Sequence, residues 1–465
     1  MSRFVRASKF RHVFADPPKR EITYQELRIS KSAWDSNMVS ANPYFFAVNW
    51  NAGGGGAFMV NSHENVGKIG TTAPLFAGHT GTVLDTQFNP FNDFIVASGS
   101  EDCTAKVWQV PEGGPTENVT EPLLTLSGHG RKVGQLQFHP VAANVLATSS
   151  TDLTIRLWDI EKAEEKIQLA GHTNNINDFS WNRNGSSFCS VGKDKKLKLW
   201  DPRSSTDAVA DTASHAGIKG SRCVFLGDRE QIFTTGYSKM ASREYALWDT
   251  RNLEKPMTKK SVDNSSGILM PFYDADTSMI FLAGKGDGNI RYYELVDEDP
   301  FVCYISEYKS SDSQKGMCSV GKRSVSVNKC EIVRLLKLTN TTLEPLSFRV
   351  PRKAEIFAED IFPDTAGGVP ALTADEWFGG SDADPILVSL RDGFVATEAS
   401  FNVTAEAAAT ATGPVNPADM SEDEIREAHR NQEATITKLK QKVAALETKV
   451  RQLEAELKDA AGSSS

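Results

Sequence analysis

The sequence predicts an all-β protein: a seven-bladed β-propeller with a C-terminal extension packed on it, followed by a short α-helical coiled coil. Three observations predict this. A unit made of Gly-His, an alternating strand, a turn, a second strand, an Asp turn and a closing Trp occurs three times between residues 78 and 201. The acidic stretch after residue 351 carries Trp377, Phe378, Ile386 and Leu387, apolar side chains for which a solvated linker has no use. A heptad pattern then runs from Ile436 to Leu457. The boundaries drawn from these patterns are 1–351 for the propeller with its basic N-terminal segment, 352–401 for the extension, 402–420 for a linker and 421–461 for the coil.

Composition narrows the class. The 465 residues are 40% hydrophobic and 24% charged, the balance of a globular chain. No apolar run approaches the roughly 20 residues that span a bilayer. Arg3, Arg6, Lys9 and Arg11 interrupt any secretory apolar region. The six cysteines stand singly, without a CxxC pair, which argues against a disulfide framework and a zinc site. A cytosolic chain needing no metal or cofactor is expected.

The first element is basic. Residues 1–34 hold eight basic and three acidic side chains, net +5, on a chain of formal net charge −9. Ser2, beside Arg3 and close to Arg6, is a candidate phosphosite, because a phosphate of about −1.5 to −2 charges would offset much of that excess. A weak copy of the repeat precedes the good ones near "NPYFFAVNWNAGGGGAFMV". Its glycine run lacks the Gly-Lys-Ser/Thr ending of a phosphate loop and reads as a turn between strands.

The three good copies are "GHTGTVLDTQFNPFNDFIVASGSEDCTAKVW", "GHGRKVGQLQFHPVAANVLATSSTDLTIRLWD" and "GHTNNINDFSWNRNGSSFCSVGKDKKLKLWD". They resemble the WD repeat, one four-stranded blade per copy. In each, the Asp precedes the Trp by six residues: Asp102 and Trp108, Asp152 and Trp158, Asp194 and Trp200. The Asp can hold His79, His129 or His172, and that His can bond Ser98, Thr148 or Ser190. The Trp indole N–H would complete a buried, mutually satisfied set. A hydrolytic triad is the alternative for such residues, but a single active site would not recur at identical spacing. Later copies decay: His215 and Trp248 remain with Ser242 where the Asp should stand, and Asp287 is followed by Tyr293 in the Trp position.

Residues 352–412 carry three basic against eleven acidic side chains, net −8. Small residues and two prolines follow in "TAEAAATATGPVNPA", a flexible linker. Ser421 and Glu424 then form a capping box, and Met420 with Ile425 a hydrophobic staple. Ile436, Val443, Val450 and Leu457 fall at heptad position a, with Leu439, Leu446 and Leu453 at d. In parallel chains Lys442 would meet Glu447 of the next chain, and Lys449 would meet Glu454. An antiparallel pair would oppose like charges instead. A parallel homo-oligomer is expected.

Blocks outside the repeats carry a more specific likeness. "SKFRHVF", "AWDSN", "GGGGAF", "ALWDTRNLEKP", "SSGILMPFYDADT", "GKGDGNIRYYEL", "DIFPDTAG" and "LTADEWFGG" resemble signatures of the coronin family of actin regulators. The resemblance implies a filament binder that acts with the actin-related protein 2/3 complex and cofilin in the cytoplasm, at the actin cytoskeleton and cell cortex. It places the actin contact on Arg28 of "ELRISKSAWD"; the positive charge of residues 1–34, complementary to an acidic filament, adds Arg6, Lys9 and Arg11 as weaker helpers. It also favours a trimer, since "KVAALE" and "KVRQLE" match a trimer pattern except for Lys in place of Arg. Lys lacks the bidentate fork of Arg, and β-branched residues at a with Leu at d lean towards a dimer.

Two other readings share this evidence. A generic repeat scaffold in signalling or vesicle traffic would have the fold and the coil without filament binding. A nucleic-acid binder would use the basic segment, but the acidic overall charge and the lack of a groove-reading helix oppose it. An enzyme is not expected, because no phosphate loop, metal cluster or unrepeated nucleophile–base pair is present.

Overall fold

The computed structural model describes residues 6–53, 55–70, 72–352 and 357–391. The chain divides into two units, Met1–Phe401 and Asn402–Ser465. Ser2 and the whole of the predicted coil, including Lys442, Glu447, Lys449 and Glu454, lie outside the described residues.

Seven sheets form the blades, six of them four-stranded. Blade 1 spans Val39–His79, and blades 2 to 6 follow in order to Lys309. Each blade is an antiparallel meander. Its second strand is the most enclosed; Phe45–Trp50, Val145–Ser150 and Met279–Gly284 are buried at every position. Neighbouring blades cover both faces of such a strand, so its sequence reads as an unbroken run of apolar and small residues. Outer strands are wetter, and Glu164–Ala170 buries only Leu169 fully.

Blade 7 closes the ring with both ends of the propeller. Its strands Gly316–Val320, Glu331–Leu338 and Leu343–Arg349 come from the end of the repeat region. The outer position is taken by Phe14–Asp16, paired antiparallel with Phe14 opposite Arg349 and Asp16 opposite Ser347. Further along, Tyr24 pairs with Leu343, at the other end of the same strand. The N-terminal segment therefore climbs the height of blade 7. Residues before Phe14 emerge at the lower face, and residues after Gln25 emerge at the upper face, where the Gly-His and Asp turns also lie.

The extension occupies the lower face. Ala371 donates its N–H to the Val141 carbonyl at 3.0 Å, in the turn between the first two strands of blade 3. Thr373 and Glu376 form a capping box that starts the short helix Ala374–Phe378. Trp377 is fully buried, edge-on to Trp181 at 5.8 Å and packed on His139 at 4.6 Å. Its indole donates to the Gly185 carbonyl at 3.2 Å, and the Arg203 guanidinium lies 5.0 Å above its ring. Lys162 pairs with Asp375. Above this layer the inner strands enclose an axial channel of about 550 Å3 that Thr365 and Gly368 border from below.

Candidate functional site

The Asp, His, hydroxyl and Trp sets come first, because they resemble catalytic machinery. His79 Nδ1 donates to Asp102 at 2.8 Å, and the Ser98 hydroxyl donates to Nε2 at 2.8 Å while accepting the Trp108 indole N–H at 2.8 Å. The second set joins His129, Asp152, Thr148 and Trp158 at 2.8–2.9 Å, and the third joins His172, Asp194, Ser190 and Trp200 at 2.7–2.8 Å. Burial works to raise the Asp102 and Asp152 carboxyls, but the imidazole and Thr hydrogen bonds prevail and hold both below the usual carboxylate range. Ser98, Thr148 and Ser190 have no exposed surface, so no substrate carbonyl can reach their hydroxyls. These sets brace blades.

The fourth set differs from the sequence reading, which stopped at Ser242. Glu244 takes the place of the Asp: His215 Nδ1 donates to it at 2.8 Å, and Thr234 bonds both His215 at 3.0 Å and Trp248 at 2.9 Å. A side chain one methylene longer, placed two residues on, reaches the same imidazole. Between blades 5 and 6 another device replaces the missing Gly-His. The buried Arg243 guanidinium donates to Asp263 and Asp287 at 2.6 Å and to the Gly267 carbonyl at 3.1 Å.

The exposed site lies on the upper face. After Gln25 the chain crosses the mouth of the axial channel as a strap. Asn51 donates to the Arg28 carbonyl at 2.8 Å and Ser30 N–H donates to Asn49 at 2.8 Å, fixing the strap to blade 1. The Trp34 indole donates to the Gly134 carbonyl at 2.8 Å on blade 3, with the Lys132 ammonium 5.8 Å from its ring. Lys285 of blade 6 donates to the Trp34 carbonyl at 2.8 Å, and Arg222 of blade 5 donates to the Asp35 carbonyl. Met317 N–H of blade 7 reaches the Asn37 carbonyl at 3.1 Å. Five blades thus hold the strap. Arg222 also stands 3.4 Å from Asp178 inside the channel. Seclusion there pushes the Asp85 carboxyl up to about 7 and raises that of Asp178, with Arg222 opposing both shifts.

Beside the strap is a groove of about 690 Å3 bordered by Arg28, Lys31, Lys285, Lys315, Asn51 and Asn340. Arg28 and Lys31 are exposed, and neither side chain has an intramolecular partner among the described residues. Burial pulls the Lys285 ammonium down to about 8 while Asp35, 4.0 Å away, opposes the shift. The groove gathers four cations against one bordering carboxylate, the arrangement for receiving an acidic protein surface.

The structure separates Arg28 from Arg6, Lys9 and Arg11. Arg6 pairs with Glu294, which also accepts the Ser8 hydroxyl at 2.7 Å. Lys9 donates to the Asp360 carbonyl at 2.9 Å, and Arg11 is exposed nearby in sequence. All three precede Phe14 and belong to the lower end of blade 7. Sequence reasoning missed Lys285 and Lys315, which lie some 250 and more positions beyond Arg28. Their signal was register: Lys285 lies in the turn between the second and third strands of blade 6, and Lys315 directly precedes the strand Gly316–Val320, each at the upper end of its blade.

Comparison with known proteins agrees with this geometry. Residues 70–109, 120–159 and 164–201 match the WD domain, G-beta repeat. Residues 343–385 match a type of WD40 repeat, and residues 3–68 match a domain of unknown function, DUF1899. Each of the three repeat matches takes in the outer strand of one blade and runs through the third strand of the next, the same overlap that closes the ring. Coronin-A of Dictyostelium discoideum is 50% identical over 461 residues, covering 99% of each chain. The crystal structure of the WD40 domain from Toxoplasma gondii coronin superposes with a TM-score of 0.77 at 32% identity, over 82% of this chain and 97% of that one. A chain in the crystal structure of the mitotic checkpoint complex, 15% identical with a TM-score of 0.53 over 75% of this chain and 97% of its own, shares the fold alone. Identity of this extent over the full length, with a propeller shut by its own N-terminal strand, places the chain in the coronin family.

Proposed function

We propose that this protein binds the side of actin filaments through its upper face, with Arg28 as the principal contact. Membership of the coronin family carries the coarser statement: the protein is a non-enzymatic, actin-binding organiser of actin filaments that works in association with the actin-related protein 2/3 complex and cofilin. The observation that supports the finer reading is the free, exposed guanidinium of Arg28 at the rim of a four-cation groove. An actin filament is a strongly acidic polymer, so such a groove on an acidic body steers the encounter and discourages other orientations.

Arg6 and Lys9 already have partners within the chain and contribute less; Arg11 adds to the long-range field. Residues 421–461 join copies in a parallel coil, a trimer by family resemblance, so that several modest contacts engage one repetitive filament. Phosphorylation of Ser2 weakens filament binding by offsetting the positive segment. The protein acts in the cytoplasm on actin, and we place it at the cell cortex.

Co-sedimentation with actin filaments tests this. Wild type should pellet, Arg28→Asp should remain soluble and folded, and a chain ending at residue 420 should bind more weakly. Wild-type binding by Arg28→Asp would move the contact away from the groove. Undiminished binding by the shortened chain would remove the role of the coil.

A further inference from the structure

The two most exposed large hydrophobic side chains among the described residues are Ile218, at 90%, and Met240, at 86%. They are far apart in sequence, yet they leave adjacent turns of the upper face. Ile218 lies in the connection from Ala213 to Arg222, and Met240 in the turn joining Tyr237 to Arg243. The first turn is pinned to the second strand of blade 5, where Gly217 N–H donates to the Tyr237 carbonyl at 2.7 Å. Lys219 braces it, with its ammonium 4.9 Å from the Tyr237 ring and 3.0 Å from the Ser266 carbonyl.

The second turn is equally built. Ser238 N–H donates to the Ser242 carbonyl at 2.8 Å, and the Ser238 hydroxyl accepts from Met240 N–H at 3.2 Å and Ser242 N–H at 3.1 Å. Ala241 is held at φ 62°, a left-handed conformation that non-glycine residues adopt reluctantly. Rigid turns therefore present two apolar side chains to solvent, and Lys239 is exposed beside them. Isolated exposed apolar residues need no explanation, but a paired apolar projection on a constrained support does.

Its location says what it meets. Gly220, two residues after Ile218, stands against the strap: a Cβ there would lie 3.3 Å from the Asp35 carboxylate. Asp35 borders the Arg28 groove. The projection and the groove are thus one continuous surface across blades 5, 6, 7 and 1.

We propose that Ile218 and Met240 form an apolar knob that enters an apolar recess of the actin filament while the groove receives the neighbouring acidic surface. This rests on the reading that the Arg28 face is the filament contact. The groove then supplies steering and orientation, and the knob supplies the desolvated centre that holds the complex once formed.

The test is filament co-sedimentation of the full chain as wild type, Arg28→Asp and the double variant Ile218→Ser/Met240→Ser, at low and at high salt. Both serines replace solvent-exposed side chains, and an unchanged unfolding midpoint confirms an intact fold. The double variant should lose about tenfold in affinity, by the same factor at both salt levels, because apolar contacts are not screened. The Arg28→Asp deficit should shrink at high salt. Wild-type binding by the double variant together with loss in Arg28→Asp overturns the knob and leaves the face reading intact. Wild-type binding by Arg28→Asp overturns the face reading; the knob then stands only if the double variant is still weakened. A double variant that binds filaments normally but loses binding to phosphatidylserine vesicles overturns the proposal in favour of a membrane contact.

Discussion

At the scale of single residues, His139 shows how burial fixes a charge state. Its ring packs between Trp181 and Trp377, accepting at Nδ1 from Val141 and Ala142 N–H at 3.1 and 2.7 Å and donating at Nε2 to the Gly185 carbonyl at 3.0 Å. Desolvation lowers its pKa from 6.5 to about 4. The folded state thus favours the neutral ring. That stabilisation is complete above pH 6.5 and is lost as pH falls through the window to about 4, a change of up to about 3 kcal/mol. The stability gap between wild type and His139→Gln, measured by urea unfolding, should shrink steadily from pH 6.5 to 4; a constant gap would show that the ring is solvated. At this scale the sequence was readable where spacing is short and regular, as in the three sets ending at Trp108, Trp158 and Trp200. It was not readable at Glu244, because a longer side chain can do the same work from a different position. Lys285 was equally hidden, since its partners Trp34 and Asp35 stand far away along the chain.

At the scale of elements, the strap is the part whose conformation matters most. Its ends follow from the strand pairing of blade 7, but its middle is held by Gly134, Arg222 and Lys285, three residues on three blades. No local propensity of "SKSAWDSN" contains that information, so the block could be recognised by likeness but not folded by inspection. Gly134 is the point of control. A Cβ there would stand 2.1 Å from the Trp34 ring, so Gly134→Ala must expel the indole. The expected result is a displaced strap, a red-shifted Trp emission and filament affinity lowered about tenfold, with the circular dichroism of the propeller retained. Normal filament binding by this variant would show that Arg28 needs no fixed support. The extension was legible at Trp377 and Phe378, whereas Ile386 and Leu387, expected to pack as well, stay exposed. Trp377 announced a buried contact by its mere presence in an acidic stretch, though nothing in sequence named His139 and Trp181 as its neighbours.

At the scale of the whole molecule, the ring is a closed object whose seam lies in blade 7. Phe10 and Val13 are buried in the core that also contains Phe348 and Leu346. Removing residues 1–23 would strip the outer strand, expose the edge of Leu343–Arg349 and forfeit the burial of both side chains, roughly 1.5–3 kcal/mol each. The shortened chain should unfold at a lower temperature with reduced cooperativity in calorimetry and should aggregate on size-exclusion chromatography. A single sharp transition near that of wild type would mean that six blades and an open edge suffice. The seam also sets the timing of synthesis. Its outer strand Phe14–Asp16 is made before any blade and its partner Leu343–Arg349 is the last strand of the propeller, so blade 7 cannot be finished until Arg349 has left the ribosome. At about 5–20 residues per second, that interval is roughly 20 to 70 seconds. Throughout it the strap lacks its two blade 7 anchors, the Tyr24–Leu343 pairing and the Met317 N–H bond to the Asn37 carbonyl, even when blades 1 to 6 are folded. A chain released before that point carries finished blades and the basic segment, yet lacks the closed upper face on which the proposed filament contact depends.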